Sequence, residues 1–169
     1  MNTKTIIKTI KTKTMKVKIK KMYSDSILPT KSHSDDAGFD LYAHSKSYDD
    51  DGNVVYGSGV AMEIPQGYVG LVFPRSSNAK KGLILSNSVG VVDSGFVGEI
   101  TFKFKGAVAI SMELPGMDGT KNMIGDLSYD VGDRIGQIII MPYPEIEFVE
   151  VGELSDTERG TGGYGSTGK

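Results

Sequence analysis

The 169-residue chain contains no cysteine. That excludes disulfides, thiolate nucleophiles and cysteine zinc sites, and makes a reducing compartment the simplest setting. Histidine is scarce too: His33 and His44 are the only two. Their spacing suits neither a metal site nor a Ser–His catalytic pair, so both read as surface residues. No apolar run approaches the ~20 residues that cross a bilayer. The N-terminus also lacks the apolar core and small-residue cleavage site of a secretory signal. Arginine is the most telling scarcity, at three residues against 16 lysines. Where a point charge suffices, this chain uses lysine. Arg75, Arg134 and Arg159 therefore mark places that call for a planar, bidentate fork for phosphate or carboxylate.

What is present divides the chain unevenly. Eight of the 19 basic residues fall within residues 1–21, which hold no acid. The remainder carries eleven basic against 21 acidic residues, a net of −10. Such an acidic body argues against nucleic-acid binding by the domain itself. The Lys/Thr-rich head reads as solvated chain or as a nucleic-acid arm, and its lack of Arg and Ser disfavours a mitochondrial transit peptide. Residues 1–14 are thus expected to be a flexible basic extension, 15–155 one domain with a real core, and 156–169 a Gly-rich arm.

Residues 15–20, Met-Lys-Val-Lys-Ile-Lys, alternate with period two and predict a half-buried strand. Short β-like runs then recur around 39–43, 54–56, 60–64, 68–73, 83–85, 96–104, 108–114, 135–142 and 146–151, separated by Gly- or Pro-bearing turns. Two stretches, 45–59 and 113–128, read as surface excursions. The pattern predicts an all-β fold, a jelly-roll-like distorted β-barrel. One short helix is expected at Ala79-Lys80-Lys81, with N-cap oxygens from Ser76, Ser77 and Asn78 and a left-handed stop at Gly82. Its start would offer Arg75 and Ser76 to an anion.

The C-terminus, from Arg159 to Lys169, is rich in glycine. Gly163 to Lys169 spells most of a Walker A loop, but no helix can follow Lys169 in this sequence, so that reading fails. What remains is a Gly-rich tail with one Arg, one aromatic and two hydroxyls. It reads either as a plain disordered end or as an arm that folds over a phosphorylated ligand.

Five segments now stand in order: Ala37-Gly-Phe-Asp-Leu-Tyr-Ala43, Pro74-Arg-Ser-Ser-Asn-Ala79, Gly90-Val-Val-Asp-Ser-Gly-Phe-Val-Gly-Glu99, Gly132-Asp-Arg-Ile-Gly-Gln137 and Arg159 to Gly168. Together they closely resemble the five motifs of the trimeric dUTPase family, from about Lys16 to the end. The resemblance implies a β-clip fold and a homotrimer whose active sites are shared between chains, each closed by a C-terminal arm. It also implies hydrolysis of dUTP to dUMP and pyrophosphate with Mg2+ as cofactor, which supplies dTTP precursor and keeps uracil out of DNA. A cytoplasmic location follows, with no nucleic-acid or membrane partner.

The resemblance further assigns residues. Asp93 is expected to be the general base that activates water for attack on the α-phosphorus. Asn87 would read uracil, with Val92 beside it and backbone groups of the surrounding hairpin completing the match. Phe96 stands where the family usually has Tyr; its ring would pack on deoxyribose and exclude a 2′-hydroxyl. Arg75, Ser76, Ser77 and Gln137 fall on the phosphate side, and the helix amides would add donors there. Asp40 would act in the outer shell of the metal, through water. In the arm, Arg159 would take the γ-phosphate, Tyr164 would stack on uracil, and Gly165, Ser166 and Thr167 would line the phosphates. Asp133 and Arg134 read as structural.

Two other readings stay open at this level. A dCTP deaminase would share the fold and a triphosphate site, but the motifs offer no clear deaminating Glu; Glu99 belongs to the third motif. A nucleotide-responsive binding module would need no Asp93.

Overall fold

The computed structural model describes residues 14–106 and 128–163. Among these run nine strands and one helical turn, arranged as two antiparallel sheets. The strands are β1 (Lys18–Lys21), β2 (Phe39–Tyr42), β3 (Ser45–Tyr48), β4 (Val54–Glu63), β5 (Tyr68–Pro74), β6 (Ile84–Leu85), β7 (Gly90–Val92), β8 (Glu99–Lys105) and β9 (Arg134–Pro142), with α1 at Asn78–Lys81. One sheet runs β1-β4-β8-β6, with β3 also paired to β4; the other runs β2-β9-β5-β7. Among the described residues the two sheets face each other without closing into a barrel, so the all-β expectation holds in open form.

Alternation builds the core. Along β8, Ile100, Phe102 and Phe104 are buried while Thr101, Lys103 and Lys105 are exposed. From the other sheet come Leu41, Val72, Ile135 and Ile138, all buried in the same cluster. Tyr56 joins them and meets Phe104 edge-on, with ring centroids 6.0 Å apart. No helix among the described residues is long and apolar enough to cross a membrane.

Several expectations shift. The N-terminal strand is shorter than its pattern and exposed throughout, because it forms the sheet edge and pairs only with β4. Residues 45–59 are not a surface excursion but a hairpin, β3 against the first half of β4. Asp49 makes its turn: its carboxylate accepts from the Asn53 amide and pairs with Lys103 at 2.8 Å. The two runs read around 54–56 and 60–64 are one strand with an irregularity between Gly57 and Ala61. The run at 146–151 forms no strand, and residues 141–161 are exposed. The run at 108–114 lies outside the described residues, as does most of the 113–128 stretch. His44 is more than a surface residue: it stacks on Tyr23 with centroids 4.2 Å apart and bonds Asp25 at 3.1 Å.

Candidate active site

The phosphate-side residues converge where β2, β9 and the end of β5 meet. Register places Asp40 opposite Gln137 on the β2–β9 ladder, and β5 ends at Pro74 opposite Gly136. Arg75 and Ser76 therefore emerge beside both. Together with Ser32, Asp36, Ala37, Gly38 and Ile139 they line an open cleft of about 360 Å³. Gly38 matters to that wall, because a Cβ there would stand 2.5 Å from Gln137 Oε1.

Within the cleft Asp40 is the hub. Its carboxylate accepts Arg75 Nε at 3.1 Å and Arg134 Nη1 at 3.1 Å. Arg134 Nη1 also donates to Ser32 Oγ at 3.2 Å, and Arg75 Nη1 reaches the Arg134 carbonyl at 3.4 Å. Two guanidinium planes are thus fixed by one carboxylate whose side chain is 15% exposed. Arg134, read as structural by its motif but marked for phosphate or carboxylate by the scarcity of arginine, belongs to this cluster. Of the two arginines, Arg75 lines the cleft, and a guanidinium held in this way is a group suited to phosphate oxygens.

The turn that carries Ser76 and Ser77 is held from below. Tyr56 Oη donates to the Tyr129 carbonyl at 2.9 Å and accepts the Tyr129 N–H at 2.8 Å. Tyr129 Oη then donates to Asn78 Oδ1 at 2.5 Å and lies 2.9 Å from Ser77 Oγ. This corrects two expectations. Ser77 occupies the N-cap position but makes no side-chain cap bond, since its hydroxyl is turned to Tyr129. The first amides of α1 are also spent: those of Asn78, Ala79 and Lys80 bond back to the carbonyls of Arg75, Ser76 and Ser77. Gly82 does end the helix in the left-handed region, with φ 64°. Tyr129 and Tyr56 escape sequence reasoning because both partnerships span more than fifty residues.

The second group gathers around β7, and the hairpin expected there does not form, because β6 pairs with β8 in one sheet and β7 with β5 in the other. Asn87, Val92 and Phe96 line a pocket of about 180 Å³ with Val72, Leu85 and Ile100. Val72 comes from β5 and pairs with Gly90 of β7. The Asn87 amide is a paired donor and acceptor set at the pocket wall, the arrangement that reads a base edge.

Asp93 follows β7 and begins a tight turn whose carbonyl accepts the Phe96 N–H at 3.0 Å. Its side chain is exposed, and among the described residues the carboxylate has no hydrogen-bond or ion-pair partner. An unpaired carboxylate at a turn can take a proton from water. Glu99 is differently placed: its Oε1 accepts the Gly59 N–H at 2.6 Å on the β4 irregularity. That engagement makes it a staple between β8 and β4.

The phosphate-side cleft and the base-side pocket share no lining residue. Arg159 lies in an exposed turn, donating from Nε to the Gly162 carbonyl at 3.0 Å, and lines neither. Tyr164, Gly165, Ser166 and Thr167 lie outside the described residues. For a metal, no group of three or more carboxylate or imidazole ligands occurs among the described residues. Asp40 keeps lone pairs free for a water, while both its oxygens already meet arginine. The donors therefore fit an ion held chiefly by a ligand's phosphates, with Asp40 touching it at most through water.

A family model described as dUTPase matches residues 24–113 and 120–168. The deoxyuridine 5'-triphosphate nucleotidohydrolase of Corynebacterium diphtheriae is 36% identical over 154 residues, 90% of this chain and 92% of its own. That of Nautilia profundicola is 37% identical over 157 residues, 92% of this chain and 100% of its own. Among solved structures, the dUTPase of Staphylococcus bacteriophage 80alpha with dUPNHPP superposes with a TM-score of 0.74 at 27% identity, over 92% of this chain and 100% of that chain.

Proposed function

Since the chain belongs to the dUTPase family and is a dUTP diphosphatase, we propose that Asp93 draws a water molecule onto the α-phosphorus of dUTP, releasing dUMP and pyrophosphate. The observation that carries this mechanism is the free Asp93 carboxylate directly after β7, in a chain with no thiol and with neither histidine lining the cleft or the pocket. Direct attack by water needs a base and an orienting site, and no covalent intermediate.

In this reading Asn87 pairs with the uracil edge and the Phe96 ring packs on the deoxyribose. Arg75, Ser76 and Gln137 take phosphate oxygens in the cleft, with the guanidinium of Arg75 held in plane by Asp40. Ser77 contributes through its turn rather than through its hydroxyl. Magnesium, when bound, would neutralise charge on the triphosphate, and Asp40 is the residue able to reach it through water. Arg159, Tyr164, Gly165, Ser166 and Thr167 would close over the bound nucleotide and exclude water.

The separation of the two half-sites supports sharing between chains, in a homotrimer that joins one subunit's cleft to another's pocket beside β7. The exposed C-terminal segment supports it too: Phe148 is 94% and Leu154 87% exposed. Apolar side chains so placed are expected to find a partner surface. A deamination at C4 of cytosine is disfavoured because the Glu99 carboxylate is held by β4.

Pyrophosphate release from dUTP, compared with dCTP, dTTP and UTP, tests the substrate. Asp93→Asn tests the base: turnover is expected to fall by at least ~10²–10⁴-fold with binding of a non-hydrolysable analogue retained. Near-normal turnover in the folded variant would remove Asp93 from the mechanism.

A further inference from the structure

Gly98 sits between the Phe96 turn and β8, and its backbone is not in the left-handed region, which Gly52, Gly59 and Gly82 among others occupy. Any residue could adopt that conformation, so the reason for glycine lies in space rather than in dihedral angle. The neighbour that fills the space is the Phe96 ring. A Cβ on residue 98 would stand 2.7 Å from Phe96 Cζ, 3.0 Å from Cε2 and 3.5 Å from Cε1. The ring tip therefore lies directly over the Gly98 α-carbon, closer than any side chain at 98 permits.

The backbone on either side has little freedom to relieve such a clash. The Phe96 amide is bonded to the Asp93 carbonyl at 3.0 Å. Beyond Gly98, Glu99 is anchored to the Gly59 amide at 2.6 Å, and Ile100 is 3% exposed within the core. The ring, 46% exposed, is the part that would move. It forms a wall of the pocket that also holds Asn87 and Val92.

We propose that Gly98 is a positioning residue for substrate specificity: its missing side chain seats the Phe96 ring where it separates deoxyribose from ribose. This rests on the reading of Phe96 as the residue against the sugar. A methyl group at 98 displaces the ring tip and opens or tilts the wall that a 2′-hydroxyl would meet. Discrimination by shape in an apolar pocket is sensitive to one carbon, typically ~10-fold or more.

The test compares kcat/KM for dUTP and UTP in the full-length wild type, Gly98→Ala, Phe96→Ala and the double variant. The ratio of the two substrates does not depend on the fraction of folded enzyme, so a general loss of stability leaves it unmoved. Gly98→Ala is expected to lower the preference for dUTP by ~10-fold, and Phe96→Ala by at least as much. The double variant should match Phe96→Ala within about twofold, because the ring through which Gly98 acts is gone. If Phe96→Ala loses the preference and Gly98→Ala keeps it, the role of Gly98 is overturned and the sugar reading stands. An equal effect of Gly98→Ala with and without the ring overturns it as well. If Phe96→Ala keeps the preference, the sugar reading falls and takes Gly98 with it.

Discussion

Asp40 has one observed task and one proposed task, and a measurement can separate them. Its carboxylate holds Arg75 and Arg134 at 3.1 Å each, and the proposed function adds a water-mediated contact with magnesium. Asp40→Asn removes the charge between two guanidinium groups and one acceptor from them. A hydrogen bond to a charged group contributes ~1.5–3 kcal/mol, so KM for dUTP at saturating magnesium should rise roughly 10- to 100-fold. An unchanged KM, with only the magnesium midpoint shifted, would confine Asp40 to the metal. At this scale the sequence was informative where a residue type is rare. Three arginines against 16 lysines singled out the guanidinium groups, and two of them prove to share one carboxylate. It did not say which carboxylate Arg134 would meet, because nothing local to Gly132-Asp-Arg reveals that β9 lies beside β2.

Among the elements, the single turn of α1 depends on a tyrosine far away in sequence. Tyr129 is 2% exposed and binds both Asn78 and Ser77 through its hydroxyl. Tyr129→Phe leaves Asn78 Oδ1 without that donor inside the protein and is expected to cost ~1–3 kcal/mol of stability. The turn bearing Arg75 and Ser76 should loosen with it, so KM should rise while kcat changes less. A thermal melt and a saturation curve check both; unchanged values would place the hold on α1 elsewhere. The β3–β4 turn offers a pH test. Lys103 first, then Asn53, holds the Asp49 carboxyl well below the usual carboxylate range. Because the folded-state value is depressed, the stabilisation is complete above the unfolded value of about 3.9 and is lost as pH falls through the folded value. Asp49→Asn should therefore be less stable than wild type near neutrality, with the gap narrowing below about pH 4. A gap that is constant with pH would show that the pair contributes nothing through charge. Clean alternation made β8 legible in the sequence, and Gly82 made the end of α1 legible. The β3–β4 hairpin was not, since Asp49-Asp-Asp-Gly-Asn53 reads as a polar excursion until Lys103 is seen to neutralise it.

For the whole molecule, the decisive feature is that the two groups of candidate residues stay apart within one chain. The residues proposed for the base and for the phosphates line separate hollows, and Arg159, near the start of the arm, lines neither. Sequence order alone disclosed the five segments but not this separation, which depends on how β5, β7 and β9 pack. The segment before the arm presents Ile146, Phe148, Val149 and Leu154 to solvent, at 66%, 94%, 73% and 87% exposure. Such a segment gains stability only against another surface, and closed symmetry supplies one without leaving open ends. A homotrimer is the expected mass in solution. The sharper test mixes two inactive chains, Asp93→Asn and a chain truncated after Glu158. The first lacks a base but keeps its arm, and the second keeps its base but lacks the arm. Each alone should be nearly inactive, since the one cannot activate water and the other cannot close over the triphosphate. In trimers reassembled from equal amounts, about one site in four would combine an intact base with an intact arm from another chain. Activity should return toward that fraction after co-refolding and stay absent when the two are mixed as preformed oligomers that do not exchange. If base and arm acted within one chain, no mixture could restore turnover, and persistent inactivity of verified mixed trimers would rule out sites shared in this way.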